Sequence, residues 1–307
     1  MSYLKRVGYI TRKPDSIPTG KGTPILSGIL LGLLSALFWG TGDFLAKKAV
    51  DRIGPYATLF FMFATGSIFL GIGAFYFNSQ INSPSPALLL GTFLSSLLCV
   101  FGYFFLYYGF QVGSLSVVST ITSAGALVSV GLSIVLLKEW PTPVQFLGIG
   151  LVITGVILVS FRKETEKKTV KRSKGLVPAI LSAIFFGSYV VLIKMVSHET
   201  GPYLPVFLIR GIGVVLIGGI LVRRKELSLP PRPVWKYLAA IGFLDAVAFI
   251  SLIAGIQLAL VSIVSPLSSL FTVVTVALAR IFLKERLQRH QLAGFLFVTC
   301  GVIFLSL

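Results

Sequence analysis

Residues 28–56 read GILLGLLSALFWGTGDFLAKKAVDRIGPY, and residues 175–203 read GLVPAILSAIFFGSYVVLIKMVSHETGPY. The two stretches agree at 11 of 29 positions at an offset of 147 residues, and both end in Gly-Pro-Tyr. Further along, residues 107–160 match residues 253–306 at an offset of 146, with 19 identities in 54 positions and no gap. The shared residues include Gln, Lys-Glu and Gly, which a common apolar composition does not explain. The sequence therefore predicts two copies of one structural unit.

The composition places both copies in a lipid bilayer. Of the 307 residues, 55% are hydrophobic and 12% are charged, with a mean hydropathy of +0.92, whereas about a quarter of a soluble domain is charged. Apolar runs of about 20 residues recur, and each can cross a hydrocarbon core of about 30 Å as a helix. Ten such spans are predicted, at residues 25–46, 55–77, 84–110, 115–137, 143–161, 175–193, 202–222, 233–257, 260–283 and 287–307. The chain is predicted to be an all-α, multi-pass protein of the cell membrane.

The spans divide evenly between the two copies. A polar basic tail at 1–24 precedes the first repeat at 25–161, and a basic linker at 162–174 leads to the second repeat at 175–307. Each repeat holds five spans, an odd number, so the second repeat enters the membrane from the opposite side. Two inverted repeats can rock between two similar arrangements that open a central site to either side of the bilayer. This symmetry favours a secondary transporter over a channel, a scaffold or a membrane enzyme.

Short motifs recur at the front of each repeat. Ser35-Ala36-Leu37-Phe38-Trp39-Gly40 is followed by Lys47, and its echo Ser182-Ala183-Ile184-Phe185-Phe186-Gly187 is followed by Lys194. With Pro266 in span nine and a Lys-Glu turn before spans five and ten, the chain resembles the EamA-type members of the drug/metabolite transporter superfamily. The resemblance covers nearly the whole chain. It implies ten transmembrane helices as two inverted five-helix repeats, around a cavity lined mainly by spans three, four, eight and nine, with one and six.

The resemblance leaves the cargo open, because members move amino acids, sugars, nucleotide sugars, phosphorylated metabolites or drugs. Small multidrug pumps of the same superfamily carry a membrane Glu eight residues before the Lys that ends their first helix. Here those positions hold Trp39 and Phe186, so proton exchange for a cationic drug through that carboxylate is not supported. The first repeat has Thr120 where the second has Pro266, so we expect a kink in span nine and a weaker one in span four.

Charged side chains inside the spans are costly and therefore mark functional candidates. Asp245 in span eight is a candidate to hold a substrate amine, a proton or a cation, and the alternative is a buried partner for Arg210. Arg210 in span seven is either an ion pair or carbonyl clamp, or a group that recognises an anion. Asp43 lies four residues before Lys47 on one helix face, which predicts a salt bridge at the rim, with a gating or proton role as the alternative.

Hydroxyl, amide and aromatic side chains also lie in the spans that are expected to form the cavity. Besides Asp245, the candidate solute contacts are Trp39, Tyr103, Tyr108, Ser119, Ser123, Phe186, Tyr189, Ser265 and Ser269. The alternative for the hydroxyls is close helix packing with interhelical hydrogen bonds, and for the aromatic residues it is an interfacial belt. Gln111 and Gln257 end spans three and eight at matched positions, which favours a capping or gating role over substrate contact.

The remaining motifs argue against an enzyme. No phosphate-binding glycine loop follows a strand-like segment, no nucleophile and base are paired, and the two cysteines lack metal-ligand spacing, so no cofactor or metal is expected. The favoured function is a secondary active transporter of small polar organic metabolites, amino-acid-like solutes first, driven by a proton, a cation or a counter-solute. The alternatives are efflux of hydrophobic cations or drugs and, further off, a membrane scaffold. Monomer and homodimer both stay open.

The excess of basic residues reports on orientation. The chain has 27 Lys and Arg against 10 Asp and Glu, a formal net charge of +17. A soluble protein with this excess would suggest a nucleic-acid partner, but none is expected for a membrane protein of this kind. Sorted by predicted span, 7 basic residues lie on the face of the termini and 19 on the face of the 162–174 linker. Positive-inside counting places that linker in the cytosol and both termini outside, whereas the family resemblance implies the reverse.

Overall fold

A computed structural model of the chain describes residues 23–76, 85–160, 169–200, 203–283, 289–305 and 307. These residues form helices and connecting turns, without a strand. The helices are α1 (Thr23–Tyr76), α2 (Pro86–Val112), α3 (Leu115–Ser123), α4 (Gly125–Leu132), α5 (Pro143–Ser160), α6 (Thr169–Thr200), α7 (Tyr203–Arg223), α8 (Arg232–Leu258), α9 (Val261–Ser268), α10 (Phe271–Leu283) and α11 (Arg289–Leu305), with a π helix (Ser133–Leu137) after α4. The basic tail, most of the linker and the second Lys-Glu turn lie outside the described residues.

The lengths of these helices suit a membrane. Among the described residues, 7 helices are long and apolar enough to cross a bilayer, and two shorter apolar helices cover Pro143–Leu158 and Leu296–Leu305. The first of the seven, Pro24–Ile72, covers the first two predicted spans. Large apolar side chains cover the outer surface, as lipid contact requires. The all-α membrane fold is confirmed, and the count of ten crossings stays a prediction.

Helix α1 contains a break at Gly54, which separates those two spans. Gly54 has φ 76° and ψ 168°, a conformation that only glycine adopts without strain, and Pro55 opens the next helical turn. Thr58 Oγ1 donates a hydrogen bond of 2.7 Å to the carbonyl oxygen of Gly54 and stabilises the restart. The first of the two Gly-Pro-Tyr motifs therefore marks the turn between two helices.

The two repeats pack against each other reciprocally. In α1, a Cβ built on Gly40 would lie 2.4 Å from Cβ of Val274 in α10. In α6, a Cβ built on Gly187 would lie 2.6 Å from Cβ of Val128 in α4. The repeat alignment pairs Gly40 with Gly187 and Val128 with Val274. The first helix of each repeat thus contacts the same part of the other repeat, as a two-fold axis between inverted repeats requires.

The contact between α5 and α11 lies on that axis. A Cβ on Gly148 would lie 3.0 Å from the carbonyl oxygen of Gly301, and a Cβ on Gly155 would lie 2.7 Å from that of Gly294. The repeat alignment pairs Gly148 with Gly294 and Gly155 with Gly301, so the interface is the same from either side. Glycine is needed here because the two backbones touch.

Two helices are interrupted at matched positions near the middle of the molecule. Helix α3 ends at Ser123 and is capped by Ala124, and α9 ends at Ser268 and is capped by Ser269. Ser123 Oγ donates to the carbonyl oxygen of Thr120 at 2.7 Å, and Ser269 Oγ donates to that of Pro266 at 2.6 Å. Span nine is interrupted after Pro266, between Ser268 and Phe271, and the kink at Pro266 itself stays a prediction. Span four is also interrupted, although it lacks the proline, and the matched serine bends both helices by bonding back to the preceding turn.

Candidate functional site

A cavity lies between the two repeats at the level of the two helix interruptions. Its walls come from α1, α2, α3, α4, α6, α8, α9 and α10, which correspond to spans one, three, four, six, eight and nine. These are the spans that the family resemblance implies. Seven of the predicted solute contacts line the cavity: Trp39, Tyr103, Ser123, Phe186, Tyr189, Ser265 and Ser269.

Aromatic rings held edge to face form one side of the cavity. Trp39 and Phe249 have ring centroids 4.9 Å apart, as do Tyr103 and Phe186, and Tyr189 lies 5.5 Å from Phe249. Such pairs favour fixed ring positions, so the wall presents a rigid apolar surface. Phe249 was not among the predicted solute contacts. The offset of 146 that aligns the repeats nevertheless places Phe249 on Tyr103 and was a usable signal.

Two of the cavity serines also hold helices together. Ser265 Oγ lies 2.6 Å from Ser129 Oγ of the opposite repeat, and Ser35 Oγ donates to Ser268 Oγ at 2.8 Å. Each bond joins one repeat to the other across the centre of the molecule. The packing alternative for these hydroxyls is therefore realised, and any solute contact would be additional to it.

Other polar groups in the same region lack a partner. Thr122 and Tyr189 line the cavity, and their buried hydroxyl oxygens have no hydrogen-bond partner among the described residues. Ser119 is completely buried and stands apart from the cavity wall, with its carbonyl oxygen accepting a bond of 2.9 Å from Thr272 Oγ1. Ser119 Oγ also has no partner among the described residues, and its contact with solute stays a prediction. Thr122 and Tyr189 are the available hydroxyls.

Asp245 lies behind the aromatic wall and is fully engaged. Trp39 Nε1 donates to its Oδ1 at 3.1 Å, the Tyr103 hydroxyl donates to the same oxygen, and Arg210 forms an ion pair with Oδ2. Asp245 is not part of the cavity wall. Of the two alternatives for this carboxylate, the geometry therefore gives the buried partner of Arg210, and its hydrogen bonds orient two rings that do face the cavity.

Arg210 is completely buried among aromatic rings. Its guanidinium carbon lies 4.6 Å from the ring centroid of Phe249, 5.3 Å from that of Phe63 and 5.9 Å from that of Tyr103. Cation–π contacts and the ion pair with Asp245 together compensate a charge that would otherwise be very costly inside a membrane. Arg210 consequently acts as a structural cation behind the cavity.

Asp43 is a cavity residue and not a rim residue. The predicted salt bridge to Lys47 is wrong, because Lys47 Nζ pairs with Asp51 Oδ1 at 2.5 Å. Asp43 and Asp51 are each four residues from Lys47, and the choice of Asp51, whose side chain is 54% exposed, keeps the ammonium group near water. The Asp43 carboxylate lies in the cavity wall, and no described residue forms a hydrogen bond or an ion pair with it.

A second charged cluster connects several helices at one end of the molecule, and we call it the latch. Lys194 of α6 forms an ion pair with Glu139, Lys194 Nζ donates to the carbonyl oxygen of Ala259 at 3.3 Å, and the Val261 amide donates to Glu139 Oε2 at 2.8 Å. Lys138 has a left-handed backbone, with φ 58°, which ends the π helix and turns Glu139 toward Lys194. The latch thus ties α6, the turn after the π helix and the α8–α9 link together.

Three predicted residues lie away from the cavity. Tyr108 is 39% exposed, its ring stacks on Phe104 with centroids 6.3 Å apart and it is not part of the cavity wall, so its contact with solute stays a prediction. Gln257 Nε2 donates to the carbonyl oxygen of Ser197 at 2.8 Å and fastens the end of α8 to α6 near the latch. Gln111, at the matched position in the first repeat, is exposed. Gln257 therefore holds the end of α8, and the capping or gating role of both glutamines stays a prediction.

Comparison with known proteins places the chain among membrane transporters. The EamA-like transporter family matches residues 26–161 and again residues 173–307. An uncharacterized protein of Methanocaldococcus jannaschii is 35% identical over 134 residues, which cover 44% of this chain and 96% of that protein. A Listeria monocytogenes protein provisionally named for sugar uptake is 24% identical over 285 residues, covering 91% of this chain and 96% of that protein.

Two further comparisons extend the likeness. The glucose uptake protein GlcU of Bacillus subtilis is 27% identical over 210 residues, which cover 64% of this chain and 69% of that protein. One solved crystal structure superposes with a TM-score of 0.72 at 17% identity, over 91% of this chain and 96% of the other. That superposition supports the fold alone.

Proposed function

Because the chain belongs to the EamA-like transporter family, we propose that it is a secondary active transporter that carries small polar organic solutes through the cavity between its two repeats. The observation that carries this proposal is the position of the cavity, at two matched helix interruptions from opposite repeats. In the proposed topology the chain crosses the bilayer ten times. Helix α1 crosses twice, the interrupted pairs α3–α4 and α9–α10 cross once each, and every other helix crosses once.

Reciprocal packing supports alternating access as the mechanism. Since each repeat makes the same contacts with the other, exchanging the conformations of the two repeats produces a second arrangement of similar energy. The latch holds one end together in the present arrangement. In the exchanged arrangement, the equivalent contacts close the other end and the cavity opens where the latch was.

The cavity chemistry favours a neutral solute with several hydroxyl groups. No described cationic side chain lines the cavity, and Arg210 is buried behind it in a pair with Asp245. A carboxylate or phosphate on the solute would therefore have no cationic side chain to bind. Rigid aromatic faces suit the apolar face of a sugar ring, and Thr122 and Tyr189 offer hydrogen-bonding groups to its hydroxyls. We therefore favour sugar-like solutes over amino-acid-like ones.

The names of the relatives are compatible with this choice, since two of them are named for sugar or glucose uptake. The test is counterflow in liposomes that hold purified protein and unlabelled solute. Radiolabelled D-glucose is added outside, and other hexoses, pentoses and amino acids follow as a panel. We expect rapid exchange of a neutral sugar and slow exchange of amino acids. If no solute of the panel exchanges faster than in protein-free liposomes, the proposal fails.

A matched pair of tryptophan variants tests the aromatic wall. Trp39→Ala removes a cavity ring, and Trp140→Ala removes a ring that is 69% exposed at the surface. Trp39→Ala loses an aromatic contact worth about 1.5 kcal/mol, so its counterflow rate should be roughly tenfold lower. Trp140→Ala should exchange sugar at the wild-type rate. Equal effects of the two variants would place the solute elsewhere.

Efflux of hydrophobic cations is the second candidate, and the unpaired Asp43 carboxylate beside aromatic rings favours it. Purified protein is titrated with tetraphenylphosphonium, and a deletion strain is profiled for sensitivity to cationic drugs. Saturable binding of tetraphenylphosphonium together with cation hypersensitivity would support efflux. Sugar counterflow that tetraphenylphosphonium does not inhibit would exclude it as the function of this cavity.

A further inference from the structure

Asp43 is a carboxylate without a partner inside a membrane-embedded cavity. Its side chain lies in the cavity wall, the residue is 6% exposed, and no described residue neutralises it. The other described acidic groups in this region are paired, since Asp245 pairs with Arg210 and Asp51 pairs with Lys47. Buried carboxylates with a structural role are paired, as Asp245 is with Arg210.

Among the side chains that the structure describes, those that face Asp43 do not supply a positive charge. Asp245 is the charged group on α8 whose field acts on it, and Asp245 is negative. From α2, the neutral hydroxyls of Tyr107 and Tyr103 are already engaged, since Tyr107 donates to the Met62 sulfur at 2.9 Å and Tyr103 donates to Asp245. From α6, the cavity receives the neutral Tyr189 hydroxyl, and α9 carries no ionisable side chain. The negative charge of Asp43 therefore has to be balanced by something that enters the cavity.

We propose that Asp43 binds the coupling proton of this transporter, taking it up when solute fills the cavity and releasing it on the other side of the membrane. The inference rests on the proposed transport function. While the cavity is open, water solvates the carboxylate. A bound neutral solute displaces that water, and closing the cavity over a bare carboxylate would then cost many kcal/mol, so the loaded cavity closes when Asp43 is neutral. The empty cavity keeps its water, which solvates the ionised carboxylate during the return step, so one proton crosses with each solute molecule.

A proton fits this site better than a metal cation. A sodium ion loses its water shell on binding and needs several oxygen ligands in its place. The wall near Asp43 is mostly aromatic and aliphatic, and the hydroxyls without a described partner in the cavity are those of Thr122 and Tyr189. A proton needs only the carboxylate oxygen, and the resulting neutral carboxyl is compatible with an apolar wall.

The experiment uses proteoliposomes with radiolabelled D-glucose as the probe, or the panel sugar that wild-type protein exchanges fastest. Potassium and valinomycin hold the membrane potential at zero. With the outside one pH unit more acidic, coupling of one proton to one solute predicts accumulation up to about tenfold in wild-type protein. A pH dye inside the liposomes should report proton entry together with the sugar. A sodium gradient at equal pH should produce no accumulation.

Three variants then locate the proton. Asp43→Asn is neutral at every pH, so its accumulation ratio should fall to about one while counterflow of sugar persists. Asp43→Glu should restore accumulation with a displaced pH for half-maximal uptake, because the titrating carboxyl has changed. Asp51→Asn is the control on the same helix, since Asp51 lies outside the cavity and pairs with Lys47, and it should accumulate sugar as wild type does.

The outcomes separate this inference from the proposed function. Absence of counterflow in wild-type protein for every panel solute contradicts the transport proposal itself. Counterflow without proton entry, accumulation driven by sodium, or full accumulation by Asp43→Asn overturns the role of Asp43. If Asp43→Asn does not fold, the decision rests on Asp43→Glu, and an unchanged pH profile in that variant would also overturn it.

Discussion

Replacing Glu139 by glutamine should release the latch and shift the transporter toward the arrangement that is open at that end. The substitution removes the ion pair with Lys194 but leaves an oxygen that can still accept the Val261 amide. Shape and volume are nearly unchanged, so the variant tests the charge alone.

The size of the shift follows from the exposure of the pair. The side chains of Lys194 and Glu139 are 15% and 10% exposed, between a surface pair worth up to about 1 kcal/mol and a buried pair whose disruption costs about 3–5 kcal/mol. We take about 2 kcal/mol, which is a roughly 30-fold change in the ratio of open to closed latch. The change is measurable if the closed state is the major one in wild-type protein.

Accessibility of a cavity cysteine measures this ratio. In a background of Cys99→Ala and Cys300→Ala, a cysteine at Thr122 reports on the cavity, because Thr122 lines it. Inside-out and right-side-out vesicles are treated with a membrane-impermeant maleimide. Glu139→Gln should raise the labelling rate from the latch side and lower it from the other side, whereas Glu226→Gln, at an exposed surface residue, should change neither.

The repeat alignment supplies an opposite perturbation. It pairs Lys194 with Lys47 and Glu139 with Glu285, a residue outside the described part of the chain. If the two repeats exchange conformations, Glu285→Gln should shift labelling in the direction opposite to Glu139→Gln. The latch and its twin do not alternate if the labelling rates from the two sides are equal in all variants. The same holds if Glu139→Gln and Glu285→Gln shift the labelling rates in the same direction.

Three further predictions follow from the packing and the charges. Asp245→Asn leaves the charge of Arg210 buried without a partner and should destabilise the protein by about 3–5 kcal/mol, seen as a lower melting temperature in detergent that the double variant with Arg210→Met recovers. Gly40→Ala forces a Cβ to within 2.4 Å of a neighbouring side chain and should cost about 1–3 kcal/mol in the same assay, whereas Gly150→Ala meets open space and should be neutral. A cysteine placed in 162–174 should resist an impermeant maleimide in intact cells if the basic residues set the orientation, and labelling would give the orientation that the family resemblance implies.

The fold could be predicted largely because its information is repeated in the sequence. The match of 107–160 with 253–306 predicts two equivalent units, and an odd number of spans makes them inverted. Several glycines that recur in both copies lie where a neighbouring helix comes very close, such as Gly40 and Gly187. The number of crossings is harder, since the turn at Gly54 is continuous with helix on both sides.

The site was predictable in its residue types but not in its partners. Seven of the predicted contacts line the cavity, because they lie on the spans that surround it. Asp43 and Asp245 exchange their expected positions, one lining the cavity and one engaged behind it. Asp43 and Asp51 are both four residues from Lys47, so helical spacing alone cannot select its partner. In the fold, Lys47 pairs with the exposed Asp51, and Arg210 pairs with Asp245.

The glycine contact between α5 and α11 bears on the history of the chain. Because Gly148 meets Gly301 while its twin Gly294 meets Gly155, each surface binds a copy of itself turned over, which is the property of an isologous interface. A protein of a single repeat can build the same interface by inserting into the membrane in both directions and dimerising. Joining two such copies in one gene fixes their ratio at one to one, and each half is then free to diverge, as the aspartate of the second half opposite Cys99 of the first half shows.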